Sequence, residues 1–273
     1  ENQDNKTLQN QFIEYANSSM EMISANDTPR VKQLRREALK RFIDNGFPTK
    51  KMEKWRNSRM IECVNENFNI DKIENKKHDF CCVIRELDTE VISMTNGKFA
   101  ENDSLKVLDN GIVIGSTRKA MEKYPELFEK YFGACNINDN NGFYDINTAL
   151  WQDGFFIYAP KNAVGEKPIQ IIKIIDEENN PFIQTRNLII VETNAQLQII
   201  DCDDSIKEQS SFVNSYTEIF IGENAQLENY KLQNLNDNSS LLNTNTAKQL
   251  ANSRLQTHII SFNGGKIRNN IHV

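Results

Sequence analysis

Apolar residues first recur along the chain at steps of three and four. Leu8, Phe12, Tyr15, Ala16, Met20 and Ile23 fall on one face of a predicted helix. A second helix is punctuated at both ends. Thr28 suits the N-cap, Pro29 the first helical position, and Val31, Leu34, Ala38 and Phe42 the buried stripe. Asn45-Gly46 ends it, with Pro48 just beyond. The charged stretch from Lys72 to Lys77 reads as a loop and a boundary. From about residue 81 the period shortens. Asn96-Gly97 and Asn110-Gly111 read as tight reversals, the second flanked by Val107-Leu108 and Ile112-Val113-Ile114. A helical pattern returns over 117–132 on Ala120, Met121, Tyr124, Leu127, Phe128 and Tyr131. Pro125 lies inside it and allows two short helices. The segment Ile137 to Gly142 is polar and loop-like.

After Trp151 the pattern is strand after strand. The runs are Phe155 to Tyr158, Ile169 to Ile175, Leu188 to Glu192, Leu197 to Ile200, Thr217 to Ile221, Leu227 to Leu232 and Leu255 to Phe262. Asn194-Ala195-Gln196-Leu197 recurs unchanged as Asn224-Ala225-Gln226-Leu227, each copy following a β-rich run. Asn162-Ala163 lies one period earlier, and Gly264-Gly265-Lys266-Ile267 is assigned the comparable place later. Recurrence at such intervals is the mark of stacked coils, each covering the apolar edge of the last. The uneven period predicts a long-coil parallel β-helix over a hexapeptide-repeat helix. Three regions are therefore expected: helical over 1–80, a mixed α/β lead-in over 81–150, and a β-helix core over 151–273. The chain is expected to stop before that stack is capped.

Composition narrows the function classes. A net charge of −6 over 273 residues, with the basic residues scattered, offers no general attraction for nucleic acid or an anionic membrane. Arg35-Arg36 and Lys50-Lys51 read as solvated faces. No run approaches the ~20 apolar residues that cross a bilayer. Five cysteines without regular spacing favour a reducing compartment, so the chain is expected to be cytoplasmic. The start at Glu1, without Met, leaves a removed targeting segment open.

Candidate chemistry is sparse. Gly264-Gly265-Lys266 lacks the earlier Gly and the following Ser/Thr of a phosphate-binding loop. Asp201, Asp203 and Asp204 are the carboxylates a β-helical polysaccharide lyase or hydrolase would use as acid and base. The run Asp201 to Ser211 is uniformly polar, however, and reads as a solvated loop between strands. His78 falls in the boundary stretch, His258 in a strand, and His272 near the chain end. No second metal ligand accompanies His258 at a recognisable spacing, and it reads as a strand histidine satisfied by its neighbours. Cys81-Cys82 cannot both face one side of a strand. Cys202 is the cysteine to test for a thiolate role, alone or with His258 as a cluster ligand, though adjacent aspartates disfavour its reactive form.

One further pattern runs along the chain. Gly46-Phe47-Pro48-Thr49-Lys50 is followed by Glu53, Trp55 and Arg56, then by Asn96-Gly97-Lys98-Phe99 and Asp109-Asn110-Gly111-Ile112. Asn147-Thr148-Ala149, Asp153-Gly154, Arg186-Asn187-Leu188-Ile189, Ala195, Ala225, Gly264-Gly265 and Arg268-Asn269-Asn270 continue it. In this order the motifs resemble the SufB/SufD family of the bacterial Suf iron-sulfur cluster assembly system. The Pro-Thr-Lys and Glu-x-Trp-Arg pieces lie on its SufD side. The resemblance implies a mainly β fold, a right-handed parallel β-helix preceded by an N-terminal α-helical region. It also implies a non-catalytic scaffold subunit that pairs with a SufB-like subunit and couples to a SufC-like ABC-type ATPase, with the iron-sulfur cluster held in the assembled complex. In the family the ATPase-docking helices and the histidine linked to cluster assembly lie beyond the stretch matching Val273. No residue here is therefore assigned a catalytic, cofactor-binding or metal-binding role. The exposed last coil is expected to allow a homodimer by edge pairing.

Overall fold

The computed structural model describes residues 3–64, 66, 68–71, 73, 87–100, 105–135 and 141–273. His78, Cys81, Cys82 and most of the Lys72 to Lys77 and Ile137 to Gly142 stretches lie outside the described residues.

Helix α1 (Gln3–Ile23) buries Leu8, Phe12, Ala16 and Ile23, as its spacing predicts. In α2 (Pro29–Asn45) the Thr28 hydroxyl accepts from the Val31 amide at 3.4 Å, and Gly46 closes the helix at φ 64°. A 3-10 turn (Glu53–Trp55) and α3 (Met60–Cys63) follow. The lead-in comprises β1 (Glu90–Thr95), β2 (Lys106–Val107), β3 (Val113–Ser116), α4 (Thr117–Lys123), α5 (Pro125–Tyr131) and α6 (Gly142–Leu150). Pro125 does separate two short helices, sitting in the first turn of the second.

The remaining strands are β4 (Phe155–Ala159), β5 (Ile169–Ile175), β6 (Phe182–Val191), β7 (Gln196–Ser205), β8 (Ser211–Ile221), β9 (Gln226–Asn234), β10 (Ser239–Gln249), β11 (Arg254–Asn263) and β12 (Lys266–His272). They form two sheets, ordered β1-β5-β7-β9-β11 and β12-β10-β8-β6-β4-β3-β2. Pairing is parallel throughout except around β3, which runs antiparallel to both β2 and β4. Successive strands alternate between the sheets, so the chain winds as a parallel β-solenoid. The coil length varies, as the uneven period predicts: Phe156 pairs with Leu188, Leu197 with Leu227, and Leu227 with Leu255.

The repeated Asn marks one corner of every coil. Asn162, Asn194, Asn224 and Asn252 all take positive φ, between 56° and 65°, which Asn tolerates better than most residues. The side chains of the first three form a ladder, Asn194 Nδ2 donating to Asn162 Oδ1 at 2.9 Å and Asn224 Nδ2 to Asn194 Oδ1 at 3.3 Å. Ala163, Ala195 and Ala225 are buried beside it. Asn252, and not Gly264-Gly265, holds the fourth corner. Lys266 pairs with Ser240, which puts the glycine pair at the opposite corner, entering β12.

Two packing layers follow from strand alternation. Inward-facing Ile169, Ile171, Leu197, Ile199, Leu227, Ile189, Val191, Ile219 and Ile221 pack as one lumen cluster, and Ile175, Ile183, Val213, Leu235 and Leu241 as another. The outer face of the seven-stranded sheet is clad by helices. Phe182 and Phe212 stack at 4.6 Å between centroids, Phe12 meets Phe182 at 4.9 Å, and Phe143 lies parallel to Phe212 at 5.4 Å.

Candidate functional site

Between the two apolar lumen clusters the inward positions turn polar. In β5 the sequence Ile169-x-Ile171-x-Lys173 keeps the alternation but ends on a charge. In β7 it reads Leu197-x-Ile199-x-Asp201-x-Asp203, and in β9 Leu227-x-Asn229-x-Lys231-x-Gln233. Parallel register sets Lys231 opposite Asp201 and Lys173 opposite Asp203. Each ammonium reaches both carboxylates. Lys173 Nζ lies 2.6 Å from Asp201 and 2.9 Å from Asp203, and Lys231 Nζ lies 2.9 Å and 2.6 Å from the same pair. Two cations and two anions thus form a neutral quartet inside the solenoid.

Burial works against these charges and mutual attraction restores them. Desolvation favours the neutral form of Lys173, but Asp201 and Asp203 outweigh it and hold the ammonium above its ordinary value. Desolvation likewise pushes Asp201 up, and Lys173 and Lys231 more than reverse it, leaving the carboxyl below the usual range. The polar layer continues on the facing sheet. Asn187 Nδ2 donates to Ser215 at 3.2 Å and Thr217 at 3.0 Å, and Asn269 Oδ1 accepts from Asn243 on its own sheet and from Gln233 of β9 across the lumen.

This arrangement corrects the solvated-loop reading of Asp201 to Ser211. β7 runs to Ser205 and β8 begins at Ser211, so only 206–210 is loop, and Asp201 and Asp203 are 6% and 5% exposed. The aspartates remain in the strand because lysines on the coils before and after neutralise them. Asp204 alone points outward, accepting from Asn234 Nδ2 at 3.3 Å. Asp201 and Asp203 are buried, and each is engaged by two lysine ammoniums, so neither is presented to a glycosidic bond as an acid or a base. The partners Lys173 and Lys231 escape a motif search. Their signal is a charge in phase with the apolar alternation, answered by the opposite charge one coil away.

The other named residues lie apart. Cys202 faces outward from β7, with its thiol pushed up to about 11 by burial and then by Asp201. His258 is exposed on β11, stacked on Tyr230 at 5.0 Å. Cys202 pairs laterally with Leu232, which pairs with Ile260, so His258 is two strands away. At about 4.8 Å per strand, Cys202 and His258 cannot share one metal. His272 sits at the end of β12, paired with Thr246. Cys63 is buried beside the Ser240 hydroxyl, and burial followed by Glu218 pushes Cys135 up to about 12. Among the described residues, no three His, Cys, Asp or Glu side chains converge as metal ligands.

One ion-paired cluster joins the helical cladding to the solenoid, and a second ties the cladding elements to one another. Arg186 on β6 donates to Glu218 on β8 at 2.7 Å and to Thr148 on α6 at 3.0 Å, with its guanidinium 4.0 Å over Tyr216. Glu218 also accepts from the Gly133 and Cys135 amides. Asp27 bridges Arg35 and Arg118, and Arg35 donates to the Ala149 and Trp151 carbonyls at 2.9 Å. Burial pulls Arg35 down to about 10.

The fold and this interior define a parallel β-helix protein with a helix-clad flank, whose buried charges hold coil to coil and cladding to core. Comparison with known families is specific. The SufBD protein N-terminal region matches residues 6–171, and the SufBD core domain of SUF system FeS cluster assembly matches residues 174–273. The chain belongs to the SufBD family. It is 32% identical over 131 residues to an iron-sulfur cluster assembly SufBD family protein of Staphylococcus aureus strain MRSA252, an overlap of 48% of this chain and 28% of that protein. Proteins of the same description from S. aureus strain USA300 and from Staphylococcus saprophyticus are each 31% identical over the same extent. The matched stretch thus spans 28% of the length of these relatives.

Proposed function

We propose that the chain is a scaffold subunit of an iron-sulfur cluster assembly complex, of the SufD type, working in the cytoplasm and carrying no catalysis of its own. The observation that carries this reading is the pair of SufBD matches, which together run from residue 6 to 273 over the cladding and solenoid. The Pro48-Thr49-Lys50 and Glu53-x-Trp55-Arg56 pieces support the SufD branch. No described helix is long and apolar enough to cross a membrane.

In this reading the subunit pairs with a SufB-like partner and couples to a SufC-like ATPase, and the cluster is the cargo of the complex. A solenoid suits the task because stacked coils transmit force as one body. In this reading a SufB-like partner, and a second copy of the chain, pair with it along exposed β-strand backbone. Co-expression with SufB-like and SufC-like proteins tests the proposal. A stable complex that co-purifies is the expected result, and recovery of the chain alone counts against it.

A further inference from the structure

At the level of the first full coil the lumen contains a cavity of about 20 Å³, lined on its polar side by Lys173, Asp203, Thr185 and Ser215. The Asn96-Gly97 turn closes over it. Asn96 is tied to Asp176 through both side-chain atoms, and Gly97 lies against Ile183 and Thr185. Asp203 is 5% exposed and Thr185 4%. Thr185 Oγ1 has no hydrogen-bond partner among the described protein groups, and two further polar atoms are held by ion pairs alone, Lys173 Nζ by both carboxylates and Asp203 Oδ2 by Lys231 at 2.6 Å. The lysine holds both carboxylates at ion-pair distance, but an ammonium has three N–H donors. The Ser215 hydroxyl accepts from Asn187 and keeps its own donor.

We propose that this cavity is a binding site for a single water molecule, held by the Lys173 ammonium, the Asp203 carboxylate and the Thr185 hydroxyl. Size, charge and polarity select that ligand. Roughly 10–15 Å³ is enough for one water, provided two to four polar partners surround it. Lys173 and Lys231 are cancelled by Asp201 and Asp203, so the site attracts no bare anion or cation. Its open groups include donors and acceptors, which a neutral ligand able to do both satisfies together. The water joins the two sheets where the apolar lumen gives way to the polar layer, and completes the solvation of the ion quartet.

A high-resolution crystal structure of the 273-residue chain, grown with bromide in place of chloride, tests the site. The expected result is a spherical density peak within hydrogen-bond distance of Lys173, Asp203 and Thr185, without bromine anomalous signal. An empty cavity, or an anomalous peak, overturns the proposal. Thr185→Val removes one anchor and fills part of the space. Oxygen-17 relaxation dispersion should then count one fewer long-lived water per chain, and an unchanged count also overturns the assignment. If that variant does not fold, the wild-type density decides the matter.

Discussion

At the residue scale, the neutral quartet makes each of its members more consequential than any surface charge. Lys231→Met strands two carboxylates in the lumen with one cation, and removing one partner of a buried ion pair costs about 3–5 kcal/mol. Equilibrium urea unfolding should show a loss of that order, whereas Lys207→Ala, at the exposed Lys207–Glu178 pair, should leave the midpoint unchanged. The pH dependence has two limbs. Because the folded pKa of Asp201 is lowered, its contribution is present above the ordinary value of about 3.9 and is lost as pH falls through the folded value. Because that of Lys173 is raised, its contribution is complete below about 10.4 and is lost as pH rises through the folded value. Asp201→Asn should flatten the acid limb, and an unaltered limb contradicts the assignment. With thiols raised to about 11 and about 12, Cys202 and Cys135 should resist iodoacetamide at neutral pH until urea is added. Mass-spectrometric mapping that finds either labelled rapidly in the native state contradicts this. The acidic trio was legible as residues but not as a site, because its neutralising lysines are a whole coil away in sequence.

At the element scale, the Asn ladder is the repeated structural unit. Asn194→Val places a β-branched side chain at φ 60° and removes the bonds to Asn162 and Asn224. Left-handed backbone costs such residues about 1–2 kcal/mol, so the urea midpoint should fall, while Asn194→Gly should lose much less. Equal losses would mean that the ladder bonds, and not the backbone, govern the corner. The helix caps, the Pro125 break and the Asn-Ala corners were readable because each is a local backbone requirement met by a particular residue. β10 was not readable: Ser239-Ser240-Leu241-Leu242-Asn243-Thr244-Asn245 is a strand whose inward Asn243 and Asn245 face a polar lumen, so the apolar alternation that announces β5 is absent. The first half of β8 was lost for the same reason, and α6 because it is nine residues long and its polar side, Asp145, Asn147 and Thr148, is turned into the protein. Gly264-Gly265 was misplaced because both corners of a coil call for small or turn-forming residues, and only the register tells them apart.

At the scale of the whole molecule, the solenoid is one body whose interior is continuous along its axis, whose helical layer is pinned to it by Arg186–Glu218 and Thr148, and whose helices are tied together by Asp27 with its two arginines. Hydrogen exchange should be slowest in β6 and β8, which are buried along almost their whole length and paired on both sides, and faster in β11, which has no buried residue and is paired on one side only. The proposed role is to shape a site together with a partner. Anaerobic reconstitution with iron and sulfide, carried out on the isolated protein and on its complex with SufB-like and SufC-like subunits, tests that claim most directly. The account predicts a visible cluster absorbance on the complex only, retained in Cys63→Ser, Cys135→Ser and Cys202→Ser. A cluster formed on the isolated protein and abolished by Cys202→Ser would contradict it.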